Sequence, residues 1–440
     1  MPAVFYRDPG STYPTAVRAE GMYVHDNAGR RYLDMSGGAA VSSVGHGHPK
    51  VVSAIQEQVS TLAFAHTAFF TNEPQEQLAS RIAARFPEKG ARVWFTSGGS
   101  ESNESALKIA WQYWRAKGNP EKTIVISRQF SYHGGTFGAT SISGSVYRRA
   151  PYEKVLLDWP RIAPCYAYRH QQTGESAEGY GRRVARELEQ AIRDAGADHV
   201  AAFIAEPVVG ATLGVVPPAP GYFEEIRRIC DDNEVLLISD EVMCGSGRCG
   251  VFFTHTQEGI TADIVSLAKG LSGGYQPLGA LVTRGEIMAT IRDSDEPFAH
   301  GHTYIGHPIA CATGVAVQDC LDGGGLLDSV GKKGASLIGL LRDRFGNHRN
   351  VGDIRGRGLF IGIEFVEDRD SKMAFPVESG IPAKLKNAAM QHGLICYPGG
   401  GSVDGHAGAH MLIAPPFIAQ DEHFAELADK LDAMFTDVFA

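Results

Sequence analysis

VLLISDEV, at residues 235–242, is an apolar run that ends in two acidic residues, Asp240 and Glu241. Its apolar residues are consecutive and not alternating, which is typical of a strand buried on both faces in a parallel sheet covered by helices. In such sheets the functional groups collect just beyond the carboxyl ends of the strands. A buried acid there needs a cationic partner or a metal. The run therefore predicts a central strand and makes Asp240 a candidate functional carboxylate.

Similar runs recur between residues 90 and 285, and amphipathic helical segments such as 184–195 and 221–232 separate them. This alternation of buried strands and helices predicts an α/β fold with a mostly parallel central sheet. The other runs are RVWFT at 92–96, TIVIS at 123–127, VAAFIAEP at 200–207, DIVSLAKG at 263–270 and LGALVT at 278–283.

The two ends of the chain have a different pattern. Residues 22–34 predict a β-hairpin, and a long helical segment, a strand at 359–365 and an amphipathic helix at 421–439 follow the central region. We therefore expect a second, smaller body beside the large one. The expected division is 1–60 for the N-terminal part, 61–325 for the large domain and 326–440 for the C-terminal part.

Composition narrows the class of protein. The 440 residues contain 41 Lys and Arg and 50 Asp and Glu, a net charge of −9, with no basic run that would bind nucleic acid or an anionic membrane. No stretch approaches the ~18 apolar residues of a membrane span, and the N-terminal residues lack a secretory signal pattern. The seven scattered cysteines favour a reducing compartment. We expect a cytoplasmic protein that acts on small molecules.

Two further strand ends deliver ionisable residues, Glu206 and Lys269. Burial beside an apolar strand end lowers the pKa of a lysine, and the neutral amine is a nucleophile. Lys269 lies between Ala268 and Gly270 with no acidic neighbour in sequence. The alternative is an ordinary surface lysine at a strand exit, which is the usual situation for this residue type.

The segment SGGS at 97–100 follows a predicted strand and opens a helix predicted over residues 101–117. Glycines and a serine at a helix N-terminus can bind an anion through free backbone N–H groups, the helix dipole and a hydroxyl. The alternative is a serine that only caps the helix. Because neither a P-loop nor a dinucleotide fingerprint is present, we expect a single phosphate there.

Two other motifs are weaker. Tyr132 follows the strand at 123–127, where its ring could stack on an aromatic ligand. His300 and His302 could suggest a metal pair, but no third ligand lies nearby in sequence, so no metal site is expected.

Nine motifs follow one another along the chain: GGSES at 98–102, YHGGTFGA at 132–139, EPVVG at 206–210, SDEV at 239–242, GSGRCG at 245–250, SLAKG at 266–270, PLGA at 277–280, HGHTYIGHP at 300–308 and DIRGRGLFIGIEF at 353–365. Together and in this order, they resemble those of the class III (ω-) aminotransferases, which are pyridoxal-phosphate enzymes of fold type I. The resemblance extends from about residue 20 to residue 425. It implies a large domain with a mostly parallel sheet and a smaller α+β domain formed by both termini.

The resemblance implies a role for each site residue. Lys269 matches the Schiff-base lysine that also moves the proton of the reaction, and Asp240 matches the acid that keeps the cofactor's pyridine nitrogen protonated. Thr303 matches a threonine that reaches the phosphate from a neighbouring subunit, so a homodimer with shared active sites is implied. The remaining implied site residues are Glu206 near the cofactor's phenolic oxygen, Tyr132 and Val242 on the two ring faces, Gly98, Gly99 and Ser100 at the phosphate, and His133 in the cofactor site.

The implied reaction transfers an amino group from an ω-amino acid or primary amine to a keto acid, pyruvate or 2-oxoglutarate, by a ping-pong mechanism. One alternative is another pyridoxal-phosphate reaction on the same fold: decarboxylating transamination, racemisation or aminomutation. A second is a cofactor-free binding protein, but such a protein is expected to lose Lys269 or Asp240, and both are present.

The chain departs from the family pattern at several positions. Met243 stands where some relatives have Gln, Cys249 replaces a Thr, and Ala40 replaces a large aromatic residue. The stretch from Cys396 to Ala414 contains no arginine, although many ω-aminotransferases bind the acceptor carboxylate with one there. In this chain the alternative residues for binding the acceptor carboxylate are His406, His410 and Arg357.

Overall fold

The computed structural model describes residues 3–295 and 297–439. Its strands are β1 (Ala16–Glu20), β2 (Tyr23–Asp26), β3 (Arg31–Asp34), β4 (Arg92–Thr96), β5 (Ile124–Arg128), β6 (Arg161–Ile162), β7 (Val200–Ala205), β8 (Leu236–Asp240), β9 (Ile264–Leu267), β10 (Gly279–Thr283), β11 (Val351–Arg357), β12 (Phe360–Phe365), β13 (Leu394–Ile395), β14 (Tyr397–Gly400) and β15 (Ala409–Ile413). Its α-helices are α1 (Gly37–Ala40), α2 (Pro49–Thr61), α3 (Glu73–Arg85), α4 (Gly99–Ala116), α5 (Phe137–Ser141), α6 (Val146–Arg149), α7 (Ala167–His170), α8 (Ala177–Ala195), α9 (Tyr222–Asp232), α10 (Gly285–Arg292), α11 (Pro308–Asp322), α12 (Leu326–Phe345), α13 (Ile381–Gln391) and α14 (Asp421–Phe439).

The largest sheet has the strand order β4-β10-β9-β8-β7-β5-β6. Strands β9, β8, β7, β5 and β6 are parallel to one another, and β10 runs antiparallel to both of its neighbours. Every residue of β7, β8, β9 and β10 is buried, as expected for consecutive apolar residues covered on both faces. The predicted α/β fold with a mostly parallel central sheet is confirmed.

Helices cover this sheet on both faces. Helix α4 packs Leu107, Ala110 and Trp114 against Ile204 and Ile238 of the central strands. Helices α3, α8 and α9 contribute to a separate core with residues of the same strands that point the other way. The carboxyl ends of β5, β7, β8 and β9 therefore meet at one edge, close to the beginning of α4.

Two four-stranded sheets lie outside the central one. The first, β1-β2-β3-β13, contains the predicted N-terminal hairpin and pairs β3 in parallel with a strand from the C-terminal part. The second, β11-β12-β15-β14, is antiparallel and shares a core with α12, α13 and α14. Both ends of the chain thus contribute to one sheet, while the division at residues 60 and 325 stays a prediction.

Within residues 3–295 and 297–439, no helix combines the length and the apolarity that crossing a membrane requires.

A buried charge cluster fastens β12 to the rest of the molecule. Glu364 is fully buried and accepts hydrogen bonds from Arg355 Nη1 (2.6 Å), Arg169 Nε (2.7 Å) and the Tyr166 hydroxyl. Burial by itself raises the pKa of Glu364, but the two guanidinium groups outweigh it and hold the pKa below its ordinary value. The stability from this depressed pKa is present at neutral pH and is lost as the pH falls through the folded-state pKa.

We predict that Glu364→Ala destabilises the protein by about 3–5 kcal/mol, because it removes the buried carboxylate that Arg169 and Arg355 share and leaves Arg355 with only Asp353 as a carboxylate partner in the described part of the chain. The measurement is the shift of the denaturant midpoint at neutral pH. Glu178→Ala is the matched control, since Glu178 forms an exposed ion pair with Arg182 and its loss should cost about 0–1 kcal/mol. Equal losses for the two variants would contradict the assignment.

Candidate active site

The ends of the central strands enclose a cavity of about 170 Å³. It brings together residues from α4, the loop after β5, and the ends of β7, β8 and β9, which are far apart in sequence. The predicted site residues that line it are Gly99, Ser100, Tyr132, His133, Glu206, Asp240, Val242 and Lys269.

Lys269 directly follows β9 and begins a single turn of 3₁₀ helix, Lys269–Leu271. Its backbone φ is +49°, a left-handed conformation that is uncommon for a residue with a side chain and is often found at functional sites. Burial lowers the pKa of Lys269 to about 8, although the negative charge of Asp240 acts in the opposite direction. A substantial fraction of this lysine is therefore a neutral nucleophile at mildly alkaline pH.

Asp240 is the last residue of β8 and is held by three hydrogen bonds. Its Oδ2 accepts from Asn103 Nδ2 (2.8 Å) and from His133 Nδ1 (2.7 Å), and its Oδ1 accepts from the backbone N–H of Val242 (3.0 Å). Asp240, His133 and Asn103 are all buried. The carboxylate is therefore fixed in position at one side of the cavity and shielded from water.

The beginning of α4 forms another wall. Gly98 has an extended backbone, and a Cβ on Gly99 would lie 2.7 Å from Val242 Cγ1, so only glycine allows this close approach. Ser100 Oγ accepts a hydrogen bond from the N–H of Gly135 at 3.0 Å. The first N–H groups of a helix have no partners within it, so this wall offers donors and a positive dipole end to an anion.

Tyr132 and Glu206 are connected through the backbone. Glu206 Oε1 accepts from the N–H of Tyr132 at 3.1 Å, and its Oε2 lies 3.0 Å from Nη2 of the buried Arg128. Glu206 is thus a charge-paired carboxylate whose position also fixes the start of the loop that carries Tyr132.

Thr303 does not join the other predicted residues within this chain. It is exposed and lines a different cavity of about 580 Å³, together with His300 and His302. His300 Nε2 and Ser105 Oγ share a hydrogen bond of 2.8 Å. Burial lowers the pKa of His300 to about 4. Among the described residues, no group of three or more His, Cys, Asp and Glu has a geometry that could hold a metal ion.

Sequence reasoning missed Asn103, the partner of Asp240. Its Nδ2 also donates to the carbonyl oxygen of His133 at 2.6 Å, so it joins two walls of the cavity. The signal was available, because Asn103 comes four residues after Gly99 and therefore lies on the same face of α4. Met243 lines the cavity as well, and a Cβ on Gly210 would approach its Sδ to 2.5 Å.

A second, larger cavity of about 610 Å³ adjoins the first, and Ala211 lines both. We call it the outer cavity, and we call the first one, which Lys269 and Asp240 line, the inner cavity. Of the residues considered for carboxylate binding, only His406 lines it. His410 is fully buried, binds the carbonyl oxygen of Ala211 (2.8 Å) and has a pKa lowered to about 4 by burial, so it is uncharged at neutral pH. Arg357 is paired with Glu258 at 2.5 Å and lies outside both cavities.

Comparison with known proteins agrees with this geometry. The family model described as "Aminotransferase class-III" matches residues 6–435. An uncharacterized aminotransferase of Schizosaccharomyces pombe is 40% identical over 99% of this chain and 95% of its own length. The crystal structure of an (S)-enantioselective ω-transaminase from Thermomicrobium roseum superposes with a TM-score of 0.92 and 36% identity, covering 100% of this chain and 96% of the other. The pyridoxamine-phosphate (PMP)-bound aminotransferase of Vibrio fluvialis has a TM-score of 0.91 and 31% identity, covering 97% and 93%.

The chain therefore belongs to the class III aminotransferases. Its cofactor is pyridoxal 5′-phosphate, as the resemblance implied.

The residues present fit this cofactor. The cavity combines an amine of lowered pKa, a fixed carboxylate and an anion-binding helix start, which suit an aldehyde, a protonated pyridine and a phosphate. Two buried polar atoms of residues that line the cavity, Asn103 Oδ1 and His133 Nε2, have no hydrogen-bond partner in the described part of the chain. Buried polar atoms usually have partners, so these two indicate a polar ligand.

We predict that Lys269 in the cofactor-free protein reacts with acetic anhydride half-maximally at about pH 8. In Asp240→Asn the profile should move to lower pH, because the charge of Asp240 favours the protonated amine and its removal lowers the pKa further. The measurement is pulse labelling across a pH series, followed by peptide mass spectrometry. The exposed Lys154 provides an internal reference. A Lys269 profile centred near the free-lysine value of ~10.4 would contradict the prediction.

Proposed function

We propose that this enzyme transfers an amino group from an ω-amino acid or a primary amine to a keto acid, pyruvate or 2-oxoglutarate, in a ping-pong reaction with Lys269 as the Schiff-base lysine. The observation that carries the proposal is the presence of Lys269 and the fixed Asp240 in one enclosed cavity. Similarity over the whole chain to an ω-transaminase from Thermomicrobium roseum supports the choice of donor class.

When bound, the cofactor supplies a protonated ring that accepts the electron pair left when a proton leaves the carbon next to the substrate nitrogen. Asp240 would keep the ring nitrogen protonated, because its charge favours the positive form of a neighbouring group. Asn103, His133 and the N–H of Val242 hold this carboxylate so that it need not reorganise during the reaction.

Lys269 would have two tasks. Its Nζ would bind the aldehyde carbon of the cofactor in the resting enzyme. Once free, Nζ would accept the proton from the substrate carbon on one side of the substrate nitrogen and would donate it on the other side of that nitrogen. A pKa of about 8 suits Lys269 both for accepting and for donating this proton, because general acid–base catalysis is most efficient when the pKa lies near the working pH.

The other residues would bind and orient. Gly98, Gly99 and Ser100 would hold the phosphate at the start of α4, and Tyr132 and Val242 would enclose the ring from its two faces. His133 would act on the site through Asp240, and Glu206, charge-paired with Arg128, would face the phenolic oxygen. Thr303 would complete the phosphate site from a second copy of the chain, which makes a homodimer with shared active sites part of the proposal.

We predict that amine donors convert the bound cofactor to its pyridoxamine form and release a carbonyl product, and that a keto acid reverses the change. The measurement is the absorbance of the holoenzyme with donor and acceptor panels, with products identified by mass. Borohydride reduction should attach the cofactor to Lys269. Lys269→Ala should have no detectable transfer, because it lacks the group that moves the proton.

Lys154→Ala is the matched control, since it removes an exposed lysine remote from the inner cavity. Release of carbon dioxide, or isomerisation of a single substrate without the pyridoxamine form, would replace the proposal with another reaction of the same cofactor. Transfer at the wild-type rate by Lys269→Ala would refute the assignment of the lysine.

We also predict that Asp240→Asn lowers kcat/KM by about 100- to 5,000-fold, corresponding to ~3–5 kcal/mol for the loss of one charge from a buried pair. The measurement is steady-state kinetics at saturating cofactor, with cofactor occupancy determined by absorbance. Asp158→Asn, which changes an exposed acid, should retain activity. A loss below tenfold at full occupancy would contradict the role of Asp240.

A further inference from the structure

The outer cavity contains an isolated positive charge. Among the described residues that line it, Arg148 is the single Lys or Arg, and Asp and Glu are absent. Much of the rest of the lining is apolar or glycine, including Val146, Pro151 and Val377. A charged guanidinium in such surroundings attracts an anion, because none of the lining residues that the structure describes supplies a carboxylate to compete for it.

Arg148 has the donors to bind an anion. It is exposed, and in the described part of the chain no hydrogen bond or ion pair holds its guanidinium. Its Cζ lies 4.5 Å from the centroid of the Tyr132 ring, and contact with a ring face leaves the N–H groups available.

The neighbouring Arg149 differs from Arg148 in its burial and in its hydrogen bonds. Arg149 is buried, and its Nη1 donates to the carbonyl oxygens of Thr140, Ser141 and Ser143 at 2.7–3.2 Å. Its donors serve the fold of the loop. The contrast indicates that the unpaired state of Arg148 is specific to its position on the cavity wall.

Arg148 is also close to the reacting end of the site. Tyr132, against which it packs, lines the inner cavity together with Lys269. The positive charge of Arg148 contributes to the lowered pKa of Lys269, behind the larger effect of burial. A molecule whose amino group reaches Lys269 can therefore extend past Tyr132 into the outer cavity.

We propose that Arg148 binds the carboxylate of the substrate, and that the outer cavity thereby selects amines that carry a carboxylate several atoms away from the amino group. This inference rests on the proposed function, because it places the substrate amine at Lys269. The α-carboxylate of an amino acid lies one carbon from the amino group, so it does not reach Arg148 while that amino group is at Lys269. Arginine suits this task, since its planar fork binds a carboxylate through two parallel hydrogen bonds.

The test compares ω-amino carboxylates with amines of matching length that lack the carboxylate. The pairs are 4-aminobutyrate with propylamine, 5-aminopentanoate with butylamine, and 6-aminohexanoate with pentylamine. For at least one pair, Arg148→Leu should raise KM for the amino carboxylate by about 10- to 100-fold with little change in kcat, because it removes charge-assisted hydrogen bonds. KM for the matching alkylamine should stay within about twofold. Arg148→Lys should be intermediate, since it keeps the charge and loses the fork.

A binding measurement makes the inference independent of turnover. Pentanoate has the carboxylate and no amino group, and its dissociation constant for the holoenzyme is measured by calorimetry. We expect it to bind the wild type and to bind Arg148→Leu about 10- to 100-fold more weakly. Lys154→Leu is the matched control, because it removes an exposed positive charge from the same segment but outside the outer cavity, and it should bind pentanoate like the wild type.

The two proposals can fail separately. If no donor transfers its amino group but pentanoate binding still depends on Arg148, the proposed function is wrong and the carboxylate site stands. If transfer proceeds but Arg148→Leu weakens both members of each pair equally, or neither, the carboxylate site is refuted. Pentanoate that fails to bind the wild type, or binds Arg148→Leu equally well, refutes it too.

Discussion

The site depends on placing a carboxylate and an amine in one enclosed volume where neither is fully solvated. Isolated charges are costly to bury, so Asp240 is stable there only because Asn103, His133 and the N–H of Val242 donate to it. These donors come from α4, from the loop after β5 and from the turn after β8. The hydrogen bonds of one carboxylate therefore determine how closely three segments approach, and the glycines at 99 and 134 leave room for that approach.

Other buried charges are likewise stabilised by partners within the protein. Glu206 is paired with Arg128, Glu364 with two arginines, and Glu241 with His255. Arg248 has no carboxylate partner among the described residues but donates to the backbone carbonyl oxygens of Ser42, Leu359 and Pro415, while burial lowers its pKa to about 9. The three carboxylates and Arg248 thus have hydrogen-bond partners within the protein. In the described part of the chain, Lys269 Nζ and the guanidinium of Arg148 have none, and they line the inner and outer cavities respectively.

Much of the architecture was predictable because its signals are local. Consecutive apolar residues identified β4, β5 and β7–β10, and the rule that parallel strands place their functional groups at their carboxyl ends selected Glu206, Asp240 and Lys269. The outer cavity was not predictable, since it is assembled from residues 130, 145–148, 150–151, 211–212, 377, 397–401 and 405–406, whose proximity is a product of tertiary packing. Nothing in the dipeptide Arg148–Arg149 tells which side chain the loop carbonyls bind and which one faces a cavity. Likewise, the burial that leaves His410 uncharged comes from its packing against Gly214 and Gly399.

The parallel pairing of β3 with β13 has a consequence for how the chain folds as it leaves the ribosome. All strands of the central sheet lie between Arg92 and Thr283, so that sheet can form before the last third of the polypeptide is synthesised. Strand β3 cannot pair with β13 until Leu394 has been synthesised. Until then its open edge can pair with strands of other nascent chains. The N-terminal hairpin is thus exposed to pairing with the wrong strand for longer than any strand of the central sheet.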